Sequence, residues 1–273
     1  MAVCMAGCTP DHMETVFINT DEMQSHEFRL RDMEVYAIHD CEPRTVPYSL
    51  FSGISEEKMA QTVTADKLIL DRQWFNVNLN WKLFLVDTGM GELSTIMESE
   101  PTLRGAVNIL LTHGHADHVG GLLSWKVPPE AKIYMSKKEI AYWQAPEQKD
   151  SPAAKMLALY EQQIVPFDFD TEVLPGVWAR DAAGHTPGHT VFETEDILFV
   201  GDLLHCAALQ FPRPEVCTSY DMDTAASVTM RKQWLTKAAE SGKPIAGAHL
   251  PFPGVGTVCD DGNGGFTFTP LNR

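Results

Sequence analysis

Long apolar stretches and a surplus of basic residues are both absent from this chain of 273 residues. No stretch approaches the roughly 20 consecutive apolar residues that cross a bilayer as a helix. Lys and Arg number 21 against 37 Asp and Glu, which gives a formal net charge of -16 at pH 7. Because binding to a phosphate backbone requires a basic surface, no nucleic-acid partner is expected. The same charge disfavours attraction to anionic lipid.

Cysteine is scarce and unpatterned. The six cysteines are Cys4, Cys8, Cys41, Cys206, Cys217 and Cys259. They show no CxxC spacing and no dense framework, so neither a zinc ribbon nor a disulfide-stapled scaffold is predicted. The apolar content of 44% and the charged content of 21% are typical of a globular protein with a large core.

The first eight residues are apolar and end in Ala-Gly-Cys, before the chain turns polar at Thr9. This pattern resembles the end of a bacterial lipoprotein signal, in which Cys8 would carry the lipid. No Lys or Arg precedes Arg29, so the basic segment that opens a signal peptide is missing. Two interpretations therefore stay open, a leader that begins further upstream and an ordinary N-terminus.

We accordingly set residues 1–25 apart as a leader or disordered segment and predict one domain over residues 26–273. If the leader is real, the protein is expected to be a periplasmic or outer-membrane lipoprotein. Its only membrane attachment would then be the lipid on Cys8. If the leader is not real, a cytoplasmic location is expected.

The most informative stretch is residues 113–118, His-Gly-His-Ala-Asp-His, which places three imidazoles and a carboxylate in one short loop. It follows the apolar run 107–111, which is predicted to be a buried strand. His113 and His115 alternate, so an extended backbone points both to one side, while Asp117 and His118 follow after the chain turns. Neutral imidazoles crowded with a carboxylate are typical of metal sites. One loop can therefore supply ligands to two neighbouring metal ions.

Further donors follow other predicted strands, each flanked by small residues. They are His185 and His189 in Gly-His-Thr-Pro-Gly-His, Asp202 in Val-Gly-Asp, and His249 in Ala-His. Small residues allow the backbone to approach a crowded site. Each of these alone is more often an ordinary polar residue at a strand end. Together with residues 113–118 they predict a dinuclear metal site.

The strands are predicted first as a meander and then interleaved with helices in two successive blocks. This order favours two sheets packed face to face with helices outside, within one domain. A long helix is predicted from its N-cap Asp223 to Glu240, with Gly242 just beyond its end. Shorter helices are predicted over 92–98 and over about 152–164.

The combined motifs resemble the signature of the metallo-β-lactamase superfamily. They are Thr-His-Gly-His-Ala-Asp-His from Thr112, Gly-His-Thr-Pro-Gly-His from Gly184, Gly201-Asp202, Ala248-His249 and Leu-Val-Asp-Thr-Gly at 85–89. A closer resemblance, to the branch of methyl parathion hydrolase and the quorum-quenching lactonases, is carried by residues 201–204, 207–211 and 249–256. The resemblance implies an α/β fold, an αβ/βα four-layer sandwich of two mixed sheets with the metals at their edge.

The resemblance also implies the role of each donor. It assigns His113, His115 and His185 to one metal, Asp117, His118 and His249 to the other, and Asp202 to both as a bridge. His189 would hold a ligand or loop by hydrogen bonding, and Asp87 would either do the same or be structural. The ions would be zinc, with manganese, cobalt or iron as alternatives. A hydroxide shared by the two ions would attack the substrate, and Asp117 would pass a proton to the leaving group.

The sequence also offers four candidate substrate contacts. His205 lies where the resembling lactonases carry Tyr and methyl parathion hydrolase carries an apolar residue. It is predicted either to donate to a substrate oxygen as a catalytic residue or to form a pocket wall. Trp143, Phe211 and Phe252 are the other candidate pocket residues, and the alternative for each is packing in the core.

The predicted function is that of a dinuclear metal-dependent hydrolase acting on a small lactone, ester or phosphotriester. Asp202 in place of Cys or Ser counts against a true β-lactamase, and His115 in place of Glu counts against the di-iron flavoproteins. The alternative is a mononuclear iron enzyme that oxidises sulfur, as the persulfide dioxygenases of this fold do. Intact second-site donors argue against it. The expected partner is a small-molecule substrate, and a homodimer is left open.

Overall fold

The computed structural model describes residues 13–20, 23–63, 68–91, 93, 97 and 108–271. The candidate lipidation site Cys8 lies outside these residues, and so does most of the helix predicted over 92–98. Within the described part of the chain, no helix is both long and apolar enough to cross a membrane.

Strands outnumber helices in the part of the chain that the structure describes. In chain order, the strands are β1 (Met13–Thr20), β2 (Met23–Leu30), β3 (Met33–His39), β4 (Arg44–Val46), β5 (Phe51–Ser52), β6 (Leu68–Leu70), β7 (Gln73–Leu79), β8 (Lys82–Val86), β9 (Asn108–Leu110), β10 (Lys132–Ser136), β11 (Ile164–Phe167), β12 (Thr171–Leu174), β13 (Val177–Asp181), β14 (Thr190–Glu193), β15 (Leu198–Gly201), β16 (Cys217–Thr218), β17 (Ile245–Gly247), β18 (Val255–Asp260) and β19 (Phe266–Pro270). The α-helices are α1 (Glu56–Thr62), α2 (Ala116–Val119), α3 (Gly121–Ser124), α4 (Lys137–Trp143), α5 (Pro152–Leu159), α6 (Ala207–Gln210) and α7 (Thr224–Ser241).

Two large mixed sheets form the centre of the fold. The first has the strand order β1-β2-β3-β7-β8-β9-β10-β11, and the second has the order β12-β13-β14-β15-β17-β18-β19. The first sheet is antiparallel as far as β8 and parallel from β8 to β11. In the second sheet, β15 and β17 are parallel and the other neighbours are antiparallel.

The main core lies between the two sheets. Val35, Val77 and Phe84 are paired across β3, β7 and β8 and are buried. They belong to one apolar cluster with Phe192 and Phe199 of the second sheet. Because side chains alternate along a strand, each sheet also has apolar side chains on its outer face, and these must be buried against other elements.

Helices cover these outer faces. The outer cluster on the first sheet includes Val119 of α2 and Met156 of α5, and the outer cluster on the second includes Trp234 and Leu235 of α7. Helix α7 begins where the Asp223 side chain accepts from the Ala226 N–H, and Gly242 ends it in a left-handed conformation. The layers are therefore helix, sheet, sheet and helix, which confirms the predicted αβ/βα sandwich.

Two boundaries differ from the sequence prediction. Strands β1 and β2 pair over their full lengths, so the border predicted between residues 25 and 26 falls inside β2. The helix predicted over about 152–164 ends at Leu159, and Ile164–Phe167 form β11. This segment pairs in parallel with β10, and Pro166 within it would break a helix interior.

Candidate metal centre

The predicted donors lie in loops that follow strands of both sheets. His113 and His115 follow β9, and Asp117 and His118 lie on α2. His185 lies between β13 and β14, Asp202 follows β15, and His249 follows β17. Contacts among the donors bring these loops together at one place along the edge of the two sheets.

The first metal group consists of His113, His115 and His185 together with Asp202. His115 Nδ1 lies 2.9 Å from His113 Nε2 and 3.0 Å from His185 Nε2. The Asp202 Oδ2 atom lies 3.3 Å from His185 Nε2 and 3.7 Å from His113 Nε2. All four donor atoms lie within 4.8 Å of one another, so one cation could contact them all.

The second metal group consists of Asp117, His118 and His249. His249 Nε2 lies 3.5 Å from Asp117 Oδ2, and His118 Nε2 lies 3.9 Å from Asp117 Oδ1. Asp202 also faces this group, with Oδ1 3.0 Å from His118 Nε2 and Oδ2 3.3 Å from His249 Nε2. The Asp202 carboxylate therefore stands between the two groups, as a bridging ligand must.

The chemistry of these donors fits divalent cations. Among the described residues, His118 Nε2 and Asp202 Oδ1 are buried and lie 3.0 Å apart, yet neither has an aligned hydrogen-bond partner, an arrangement that is costly unless a ligand satisfies them. Burial lowers the pKa of His115 to about 3 and that of His113 well below its ordinary value, so both are neutral donors. Burial would raise the pKa of Asp202, but His118 and His249 hold it well below its ordinary value. His113 and His115 as neutral imidazoles, with Asp202 as an ionised carboxylate, are donors of the kind that zinc and similar ions take.

His118 is oriented by Asp87, which follows β8. His118 Nδ1 lies 2.7 Å from Asp87 Oδ2, and the Thr112 N–H and hydroxyl both donate to the same carboxylate at 2.8 Å. Proton placement on Nδ1 leaves Nε2 free to bind a metal. Of the two roles predicted for Asp87, this placement matches the one of holding a ligand.

His185 is oriented by Asp221, a residue that the sequence motifs do not reveal. His185 Nδ1 lies 2.9 Å from Asp221 Oδ1, while Oδ2 accepts from the Thr218 N–H at 2.8 Å and lies 3.5 Å from Arg231 Nη2. Asp221 lies two residues before the helix cap Asp223, and only the cap has a recognisable sequence pattern. The contact joins residues 36 positions apart.

His189 makes two hydrogen bonds that leave it no free nitrogen. Its Nδ1 lies 3.2 Å from the Ala182 carbonyl oxygen, and its Nε2 lies 3.0 Å from the Asp202 backbone N–H, which donates to it. Because both ring nitrogens are occupied, the structure places His189 beneath the Asp202 loop and not among the donors. This agrees with the choice of His185 as the ligand of its motif.

His205 lies inside the cluster. Its Nε2 is 3.2 Å from Asp202 Oδ2, and its ring stacks on that of His249 with the centroids 5.2 Å apart and the planes at 14°. The side chain is buried, and neither ring nitrogen has an aligned hydrogen-bond partner among the described residues. The Gln210 side chain fixes the loop by accepting from the His205 N–H at 2.7 Å and from the Cys206 N–H at 3.0 Å.

The three aromatic pocket candidates occupy different environments. Trp143 is buried in the outer core of the first sheet, and its ring centroid lies 5.7 Å from that of His115. Phe211 is only 1% exposed and stacks on Phe268, so it offers almost no surface to a substrate. Phe252 is partly buried, and its ring lies 4.8 Å from that of His39. Of the three, only Phe252 combines exposed surface with a place in the loop that carries a donor.

The model of the metallo-beta-lactamase superfamily matches residues 80–240, more than half of the chain. The chain belongs to the metallo-beta-lactamase superfamily. The predicted family is therefore confirmed. Six of the seven predicted donors lie within the matched residues, and His249 lies beyond them.

Solved structures and curated relatives agree with this membership. AidC, described as a dizinc quorum-quenching lactonase, superposes with a TM-score of 0.80 at 24% identity, over 93% of this chain and 99% of its own. The hydrolase AbOPH superposes with a TM-score of 0.78 at 26% identity, over 91% and 98% of the two chains. The probable metallo-hydrolase YybB of Bacillus subtilis is 27% identical over 44% of this chain. The match spans 56% of that relative's length, so this chain aligns with about half of it.

Proposed function

We propose that this member of the superfamily is a dinuclear metal-dependent hydrolase of a small lactone, ester or phosphotriester. The observation that carries the proposal is the position of Asp202, whose carboxylate contacts histidines of both metal groups. A second complete set of donors is what a second ion requires. The similarity in fold to AidC, a dizinc lactonase by its description, supports the choice of substrate class.

When bound, two divalent ions would activate a shared water and polarise the substrate oxygen that gains charge. The chain supplies the remaining steps. The Asp117 side chain is 26% exposed, against 7% for His249 and 3% for Asp202, so it faces the space a substrate must enter. Burial would raise the pKa of Asp117, but His118 and His249 hold it below its ordinary value, so the carboxylate is ionised at neutral pH. It can accept a proton and transfer it to the leaving group.

His205 is proposed to contact the substrate beside the metals. Among the described residues, neither nitrogen of this buried imidazole has an aligned hydrogen-bond partner, which is costly, and a substrate oxygen that accepts its N–H would remove part of that cost. Stacking on His249 and contact with Asp202 hold the ring in place. His205→Phe, which keeps a flat ring but no N–H, is expected to lower kcat while the metal content stays at two. A proportionate fall in metal content would assign His205 a structural role at the centre.

Metal analysis and a substrate panel test the proposal together. The purified protein is expected to hold two equivalents of zinc, manganese, cobalt or iron per chain. One iron per chain, with sulfur oxidation, would instead support the mononuclear alternative. The panel contains acyl-homoserine lactones, aryl esters and paraoxon-type triesters, and turnover of at least one class is expected. Failure of all three with both ions loaded would contradict the proposed substrates.

A matched pair of variants tests the bridge. Asp202→Ala is expected to lose hydrolysis and at least one metal equivalent, because its carboxylate contacts both groups. The exposed Asp168 pairs with Lys137 at the surface, so Asp168→Ala should keep both ions and full activity. Full activity of Asp202→Ala would refute the bridging role.

A further inference from the structure

One buried carboxylate outside the two metal groups joins the loops that carry the first of them. Glu139 Oε2 accepts from the Gly114 N–H at 3.0 Å, and Oε1 accepts from the Gly188 N–H at 2.9 Å. Gly114 lies between His113 and His115, and Gly188 lies three residues after His185. The side chain thus bonds to both loops, although they are more than 60 residues apart in sequence.

The start of helix α4 does not account for the carboxylate. Ser136 caps this helix, since its hydroxyl oxygen accepts from the Glu139 N–H at 3.1 Å. In a capping box, a Glu at this position turns back to the N–H of the capping residue. Here the carboxylate reaches across to Gly114 and Gly188 instead. The Ser136 hydroxyl also donates to the Gly188 carbonyl at 2.8 Å, a second tie between the helix and the same loop.

Three N–H groups converge on this carboxylate, because the Trp143 indole also donates to Oε2. A carboxylate presents acceptors on both oxygens, which matches the donors found at Oε1 and Oε2. An amide would turn its own NH2 group toward one of the backbone donors. Both loops also need glycine at the contact, since a Cβ would overlap Trp143 at Gly114 and Ser136 or Glu139 at Gly188.

We propose that Glu139 is a positioning residue of the first metal group, setting the separation at which His113, His115 and His185 converge on one cation. The inference rests on the proposed dinuclear function. The second metal group has other supports, with His118 on Asp87 and His249 Nδ1 on the Asp71 carbonyl oxygen at 2.8 Å. Loss of the Glu139 carboxylate should therefore weaken the binding of only one of the two ions, the one in the first metal group.

The test is metal affinity, measured by competition with a chromophoric chelator using zinc. Glu139→Gln is expected to lower the affinity for one of the two zinc ions about 10- to 100-fold. This is the usual effect of removing a residue that hydrogen-bonds and orients a metal ligand. The affinity for the other ion should change by less than about threefold. His185→Ala identifies which of the two dissociation steps belongs to the first metal group. Glu147→Gln, the same change at an exposed position four residues beyond Trp143, should leave both affinities unchanged.

A general structural role would give a different result. It would lower the melting temperature of the chelated and the zinc-loaded proteins equally and leave both affinities unchanged. That outcome, or equal weakening of both ions, would overturn the proposal. If Glu139→Gln does not fold, Ser136→Ala provides the test. It removes the second hydrogen bond to the Gly188 loop and should selectively lower the affinity for the same ion. A wild-type protein that binds fewer than two ions would instead refute the dinuclear function itself.

Discussion

The Asp221 carboxylate lies 2.9 Å from His185 Nδ1 and so fixes which nitrogen of this imidazole faces the metal centre. Removing it frees the ring to rotate and to change tautomer. Asp221→Ala is therefore expected to lower the zinc affinity of the first metal group about 10- to 100-fold, as measured by competition with a chelator. Asp223→Asn is a control two residues away, because Asn caps a helix about as well as Asp and should leave both ions unchanged. Unchanged zinc affinity in Asp221→Ala would show that the contact is dispensable.

Asp87 should affect the binding of the other ion, the one in the second metal group. It bonds to His118 Nδ1 and to Thr112, and its backbone lies in the left-handed region at φ 61°. Asn tolerates that conformation, so Asp87→Asn should keep the backbone and lose the charge that orients His118. We expect weaker binding of the ion in the second metal group and little change in the first. Isothermal titration with zinc would show one weakened step, and two equally weakened steps would contradict this division.

The candidate metal donors could be located in the sequence because short motifs carry them. Residues 113–118 supply four donors within six positions, and His185, Asp202 and His249 each follow a recognisable strand. Helix α7 was predictable for the same reason, because its cap Asp223 and its stop Gly242 are local signals. What these features share is that neighbours in sequence determine them.

Two supports of the candidate donors, Asp221 and Glu139, could not be predicted, because their contacts depend on the topology. Asp221 meets His185 across 36 positions, and Glu139 meets Gly188 across 49. In the sequence, Glu139 shows only the Ser-x-x-Glu pattern of a helix start. The shortened helix α5 has a similar cause, since β11 forms through pairing with β10, a contact that helical periodicity does not reveal.

The hairpin turn between β7 and β8 predicts a stabilising substitution. Asn80 and Trp81 both have positive φ, at 51° and 66°, as a type I′ turn requires. Trp81 is strained there and is 94% exposed, so its ring recovers little through packing. Trp81→Gly is expected to raise the free energy of unfolding by about 1 kcal/mol, measured by urea denaturation. Asn80→Gly should gain less, because Asn tolerates this conformation better, and a destabilised Trp81→Gly variant would contradict the argument.

A pH-dependent contribution to stability is expected from Glu193. Its carboxylate lies 2.9 Å from Arg180 Nε, 2.8 Å from Lys237 Nζ and 3.3 Å from Lys243 Nζ. Burial would raise the pKa of Glu193, but Lys237 and Arg180 lower it below its ordinary value of 4.5. Glu193→Gln should lower the free energy of unfolding by about 1 kcal/mol at pH 7, since the cations are partly exposed.

The sign of the Glu193 shift fixes the pH range in which the effect disappears. A carboxyl group with a lower pKa in the folded state contributes fully above its unfolded pKa, and that contribution falls as the pH drops through the folded value. The difference between wild type and Glu193→Gln should therefore be constant above pH about 5 and shrink below about 4. Urea denaturation of both proteins across this range measures it, and taking the difference cancels the pH dependence of metal loss. A difference that persists unchanged at the acid end would mean that side-chain packing, and not charge, accounts for the effect of the substitution.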